Sequence, residues 1–157
     1  MIATHVIASP DDPRCAELPA LLEAMYAEEA AMGSPMVLAP DGGTVWLKGA
    51  GAGLERFGRI VVATDADGTV VGFAHGAVRL QPAYLSGGPV GSITHVYVAP
   101  AHRRGGHARA MVALLAEWFA MRRVERTELT VVAGNAAAAG FWKAIGFSTM
   151  LHLMARS

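Results

Sequence analysis

Two β-branched runs, RIVVATD (59–65) and TVVGFAHGAVRL (69–80), flank Ala66-Asp67-Gly68. Asp-Gly between two such runs is a hairpin signal, because the turn needs residues that accept positive φ. An antiparallel pair therefore sits near the middle of the chain, and the other elements must arrange around it. Upstream, Ile2–Ala8 reads as a short strand. Ser9 can cap a helix, with Pro10 in its first turn and acids crowding its positive end. That helix is expected over Pro13–Met32, with Leu18, Leu21, Leu22, Met25 and Tyr26 on its buried side. A shorter helix is expected over Val45–Phe57. Downstream, GSITHVYVAP (Gly91–Pro100) is a strand stopped by proline. Ala108–Arg123 carries Met111, Leu114, Leu115, Trp118 and Met121 at helical spacing. TELTVVA is a strand, NAAAAGFWKAI a helix and GFSTMLHLMA a final strand. The order predicts a mixed α/β (α+β) sheet in a single domain over residues 1–157.

A length of 157 residues suits one core, and 53% hydrophobic with 17% charged residues is globular composition. No run approaches the roughly 18 apolar residues of a membrane span, and the start lacks the basic region of a signal peptide. Cys15 is the only cysteine, so no internal disulfide can form and the cytoplasm is the expected compartment. The histidines are scattered, with no HExxH pattern, so no metal is expected. Net charge is zero but unevenly spread. Up to Gly58, 3 bases against 8 acids leave −5; from Arg59 onward, 10 bases against 5 acids leave +5. Such asymmetry suits a polyanionic ligand on one half and a cationic one on the other, or an uneven solvated surface. A nucleic-acid binder would be more basic overall, so no nucleic-acid partner and no membrane partner are expected.

The stretch HRRGGHARA (102–110) lies between the strand ending near Val98 and the helix starting near His107. Unpaired N–H groups at a helix start, helped by the helix dipole, attract anions. Gly105 and Gly106 let an oxygen-rich ligand approach the backbone, and Ala108 is small for the same reason. Arg103, Arg104 and Arg109 can add charge-assisted bonds to phosphate. The competing reading is a glycine-rich helix entry with solvated arginines. The lysine and Ser/Thr of a Walker A loop are absent, and so is GxGxxG.

These residues resemble the GNAT acetyltransferase superfamily. VYVAPAHRRGGHARAMVALL supplies Arg103-x-x-Gly106-x-Ala108 after a strand. LTVVAGNAAAAGFWKAIGF supplies Asn135, Ala138, Phe141-Trp142 and Gly146-Phe147. The resemblance spans roughly residues 59–147. It implies an acyl-CoA N-acyltransferase-like fold with a central, mostly antiparallel sheet, splayed between two parallel strands, and helices on both faces. Those two strands would be Ile93–Val98 and Glu128–Ala133. It implies acetyl-CoA as co-substrate and an amine acceptor. Pantetheine would pair with the backbone near Val96 and Val98, pyrophosphate would sit on the amides of Arg104, Gly105, Gly106, His107, Ala108 and Arg109, and Asn135 would bond the pantetheine arm. Asn135 also reads as a helix N-cap.

Amine acetylation requires the ammonium to lose a proton and the thiolate to leave. His95 is the candidate base, since an imidazole titrates near neutral pH; Glu28 and Glu29 follow. The family often has a tyrosine where this chain has Trp142, and an indole N–H is no useful acid. Trp142 is expected to pack on pantetheine, leaving Tyr97, Tyr84 or water as the acid. The missing tyrosine also suits a non-catalytic acyl-CoA-binding module. A homodimer is open; nothing in the sequence decides oligomeric state.

Overall fold

The computed structural model describes residues 2–157. Five strands follow one another in space as in sequence: β1 (Ala3–Ile7), β2 (Gly58–Thr64), β3 (Val70–Leu80), β4 (Pro89–Val98) and β5 (Thr127–Glu128). Every pairing is antiparallel except β4–β5, which is parallel. Four helices complete the fold: α1 (Leu18–Ala31), α2 (Gly42–Ala52), α3 (His107–Met121) and α4 (Ala136–Ala144). The hairpin turns as expected, with Gly68 at φ 84°.

Strand alternation divides the core into two layers. Val61, Val71, Ile93 and Val98 pack with Met111, Leu115, Trp118, Phe119 and Trp142. Ile60, Val62, Phe73 and Tyr97 pack with Ile7, Leu18 and Leu22 on the other face. Helices therefore cover both faces of the mixed sheet. Among the described residues no helix is long and apolar enough to cross a membrane.

Several expectations change. The first helix does not run from Pro13. A 3-10 turn occupies Pro13–Glu17, capped by Asp12, whose side chain accepts from the Arg14 N–H at 2.9 Å, and α1 begins only at Leu18. Ser9 instead accepts from the Asp11 N–H at 3.2 Å. The second helix starts and stops earlier than Val45–Phe57, because Gly42, Gly43 and Gly51 are buried packing positions rather than interruptions. Met121 is 67% exposed, whereas Trp118 and Phe119 beside it are buried, so the apolar stripe of α3 runs through those two and leaves Met121 off it. The strand expected over TELTVVA shortens to Thr127–Glu128. The final strand is absent: residues 148–157 form no regular structure, and Met150, Leu151, Leu153 and Met154 are exposed. A two-residue β5 offers no ladder long enough to dock another strand.

Leu115 is fully buried. Leu115→Ala should lower the unfolding free energy by about 2–5 kcal/mol in urea titration, whereas Met121→Ala should stay within about 0.5 kcal/mol.

Candidate active site

The parallel strands join only at Gly91–Thr127 and Ser92–Glu128. Immediately afterwards β4 carries an extra residue, Thr94: His95 faces His75, but the next partner of β3 is Ile93. A bulge of this kind bends and twists its strand. It turns β4 away from the chain beyond Glu128 and opens a split. The bulge also shifts which backbone groups face that split. The Ala99 N–H bonds the Val71 carbonyl at 2.8 Å, so by alternation Tyr97 and His95 direct their backbone groups to β3. Val96 and Val98 direct theirs to the open edge, while their side chains join the α3–α4 layer.

β4 then leads into the glycine turn. Arg104 (φ 68°) and Gly106 (φ 82°) adopt the left-handed conformation, which suits Gly106 and strains Arg104. Gly106 is the N-cap of α3 and provides no side-chain cap. Among the described residues, the backbone N–H groups from Arg104 to Arg109 have no acceptor; the first helical bond runs from Ala110 N–H to the Gly106 carbonyl at 3.0 Å. The His107 Nδ1 atom is buried there, also without a partner. Arg104 and Arg109 are exposed around the turn. Uncapped amides, an orphaned ring nitrogen and two arginines fit a polyanionic ligand such as a pyrophosphate.

Arg103 does not share in this. Its guanidinium turns away, donating from Nε to the Val98 carbonyl at 2.8 Å and from Nη2 to Glu28 at 2.8 and 3.0 Å. Tyr97 donates its hydroxyl proton to Glu28 at 2.7 Å, beneath the same guanidinium. Burial works against the Glu28 carboxylate, but the Arg103 and Tyr97 bonds outweigh it and hold its pKa below the ordinary value. Burial and the neighbouring Glu28 push the Tyr97 phenol up to about 12. Glu28, named from sequence as a spare base, is fully engaged here.

On the same face of β4, His95 sits among aromatic rings. Trp46 packs edge-on to Phe73, His75 and His95 at 5.3–5.7 Å between centroids. Tyr26 Oη lies 3.3 Å from His95 Nε2, and Thr94 Oγ1 lies 2.9 Å from His95 Nδ1. Thr94 also bonds His75 Nδ1 at 2.5 Å and donates to the His75 carbonyl at 3.2 Å. With that hydroxyl proton committed, both imidazoles donate from Nδ1, and Tyr26 donates to His95 Nε2. Burial depresses both imidazoles to about 4, and at His95 the neighbouring His75 adds to the effect. The expectation that His95 titrates near neutrality is therefore corrected. Sequence reasoning missed Trp46 and Thr94. Trp46 lies in the glycine-interrupted segment and Thr94 in the bulge, so neither stands out by periodicity.

Beside Tyr26, a groove of about 280 Å³ runs between α1 and the segment leading to α2, lined by Tyr26, Ala27, Ala30, Met36 and Leu38, with Glu23 at its rim. Across the split, Asn135 caps α4: its side chain accepts from the Ala138 N–H at 3.0 Å. Trp142 is buried, edge-on to Phe141 and Phe147 at 4.9 and 5.3 Å. Among the described residues no group of His, Cys, Asp and Glu side chains could hold a metal ion.

A family model described as "Acetyltransferase (GNAT) family" matches residues 22–147. The chain belongs to this family. This acetyltransferase uses acetyl-CoA as co-substrate and transfers its acetyl group to an amine. The solved structures it resembles share its fold over their whole length. A ribosomal-protein-alanine N-acetyltransferase from Brucella melitensis biovar Abortus 2308 is 20% identical, with TM-score 0.72, covering 100% of this chain and 99% of that one. The aminoglycoside acetyltransferase AAC(6')-Iy, bound to a CoA-S-monomethyl-acetylneamine bisubstrate analogue, is 17% identical, with TM-score 0.76, covering 100% and 97%. A predicted acetyltransferase from Clostridium acetobutylicum, with acetyl-CoA, is 16% identical, with TM-score 0.73, covering 100% and 96%. No curated protein sequence matches.

The buried imidazoles give the acetyltransferase a pH signature. Between its ordinary value of 6.5 and the folded value of about 4, His95 is protonated in the unfolded chain and neutral in the folded one. The unfolded state then binds more protons, so stability falls as pH falls through that window. Urea titrations should show a steeper loss between pH 6.5 and 4 for the unaltered protein than for His95→Gln.

Proposed function

We propose that this acetyltransferase moves the acetyl group onto a primary amine by direct attack in a ternary complex. The acetyl-CoA enters from the α3–α4 side of the split and the acceptor from the α1–α2 side. The observation that carries this reading is the continuity of the open β4 edge with the uncapped α3 turn. An extended amide-bearing chain can pair with Val96 and Val98, and its pyrophosphate then reaches the amides from Arg104 to Arg109. Arg104 and Arg109 add charge, and Gly105, Gly106, His107 and Ala108 shape the cradle. Arg103 holds the carbonyl of Val98 rather than phosphate. Asn135 caps α4 through its oxygen, leaving its amide N–H₂ for the pantetheine arm.

On the acceptor side, His95 and Tyr26 line the approach to the thioester, with the imidazole neutral at working pH. Of the Val96–Tyr97 stretch, the Val96 N–H on the open edge is the backbone donor that can polarise the carbonyl, a contribution of about 3–4 kcal/mol for a well-placed donor. Tyr97 is set aside as the acid, since its proton is committed to Glu28. A CoA thiol with an ordinary pKa near 8.5 leaves without a dedicated acid. The acceptors named for two structural relatives, a ribosomal-protein alanine and an aminoglycoside, bracket the choice between a peptide or protein amine and a small molecule. A lone buried thiol, Cys15, suits work in the cytoplasm.

A second reading, a non-catalytic acyl-CoA-binding module, is favoured by Trp142 at the family's tyrosine position. An amine panel with acetyl-CoA, followed by free-thiol release, separates the two: binding without release for every amine supports the module.

Two variants probe the cofactor side. Gly106 needs positive φ, and a Cβ there would lie 3.1 Å from Ile2 Cδ1. Gly106→Val should lose acetyl-CoA binding by calorimetry while keeping its circular dichroism; retained affinity would move the cradle elsewhere. Trp142→Phe should keep most of the turnover, as a packing role requires; a collapse would assign chemistry to the indole.

A further inference from the structure

Tyr26 and Glu29 of α1 and its C-cap residue Met32 stand at i, i+3 and i+6 and form one ridge. The first, Tyr26, reaches His95 on β4. The last, Met32, presses its backbone carbonyl against Gly134, just before α4, where any Cβ would collide with it. β4 is one lip of the split and the segment at Gly134 is the other. The ridge therefore crosses the mouth of the split from lip to lip, with Glu29 in the middle.

Glu29 stands between those two contacts on the ridge. It is half-buried, whereas Ala27, Ala30 and Ala31 around it are exposed. Its neighbour Glu28 is held by Arg103 and Tyr97. Among the described residues the Glu29 carboxylate makes no hydrogen bond or ion pair; its backbone carbonyl accepts from the Met32 and Ser34 N–H groups. Of the two adjacent acids, one is committed to the framework and the other is left half-buried and unpaired on the ridge.

We propose that Glu29 is the catalytic residue that accepts the proton of the acceptor ammonium. This rests on the transferase reading above. The ammonium gives one proton to the Glu29 carboxylate, and the free amine attacks the thioester carbonyl carbon. The N–C bond forms and the C–S bond breaks, its electron pair going to sulfur. The second nitrogen proton neutralises the thiolate, and the Glu29 proton passes to solvent. Burial raises the Glu29 pKa above the ordinary carboxylate value, which strengthens it as a base. Of the titratable groups near it, Tyr26 on the same helix feels its charge, and its chain neighbour Glu28 is held by Arg103 and Tyr97.

The experiment compares two acceptors of similar size, ethylamine and hydroxylamine. Ethylamine is protonated at neutral pH and hydroxylamine is largely not. With Glu29→Gln, thiol release from acetyl-CoA should fall by about 10²–10⁴-fold for ethylamine. It should fall far less for hydroxylamine, which has no ammonium proton to give up. The acid limb of the ethylamine rate profile should disappear, Glu29→Asp should restore part of the rate, and acetyl-CoA affinity by calorimetry should stay unchanged. An equal loss for both acceptors, or an unaltered acid limb, would overturn the assignment while leaving acetyl transfer intact. No release from the unaltered protein with any amine, despite acetyl-CoA binding, would overturn the transferase reading and the assignment with it.

Discussion

The extra residue in β4 is the constraint from which the site follows. A parallel pair with a regular ladder would bond on to the end of both strands and leave no opening. The bulge at Thr94 bends β4 away just after its pairing with β5 ends at Ser92. It thereby leaves backbone groups of Val96 and Val98 on an open edge. An open edge ordinarily invites aggregation. Here the helices on either side enclose it, and what can pair with it must be narrow enough to enter between them. The same bulge brings His95 opposite His75 and hands Thr94 to both imidazoles, so its local distortion is tied down by side-chain bonds.

Charge is distributed on similar lines. The acidic front and basic back of the sequence meet at Glu28 and Arg103, a half-exposed ion pair. Arg103 also holds the Val98 carbonyl, so α1, the end of β4 and the glycine turn are bound together. A half-exposed ion pair contributes little to stability by itself. Its effect here is positional, because each partner is fixed by a further hydrogen bond, Tyr97 on one side and the backbone on the other.

Much of this was legible in the residues. The hairpin, the strand ending at Val98, the glycine turn and α3 announce themselves through β-branched runs, Asp-Gly, proline and helical spacing. The same local signals misplace elements that depend on partners. TELTVVA has the composition of a strand but lacks a neighbour once β4 bends away, and the apolar tail after Gly146 has no edge to join. Glu28 and Glu29 are indistinguishable in sequence. Only the direction of α1 over the sheet gives one to Arg103 and leaves the other half-buried and unpaired. Periodicity likewise cannot find Thr94, because a bulge is a departure from period, or Trp46, because a glycine-rich segment shows no clear face.

The contact between Met32 and Gly134 has an evolutionary consequence. It joins backbone to backbone, so the width of the mouth is set by two main-chain segments and by a residue that tolerates no side chain. The neighbouring groove wall, by contrast, is made of side chains at Ala27, Ala30 and Met36. Those positions can drift in size and polarity without altering the aperture. A lineage built on this frame could exchange one acceptor for another through surface substitutions alone, while the opening through which chemistry occurs keeps its dimensions.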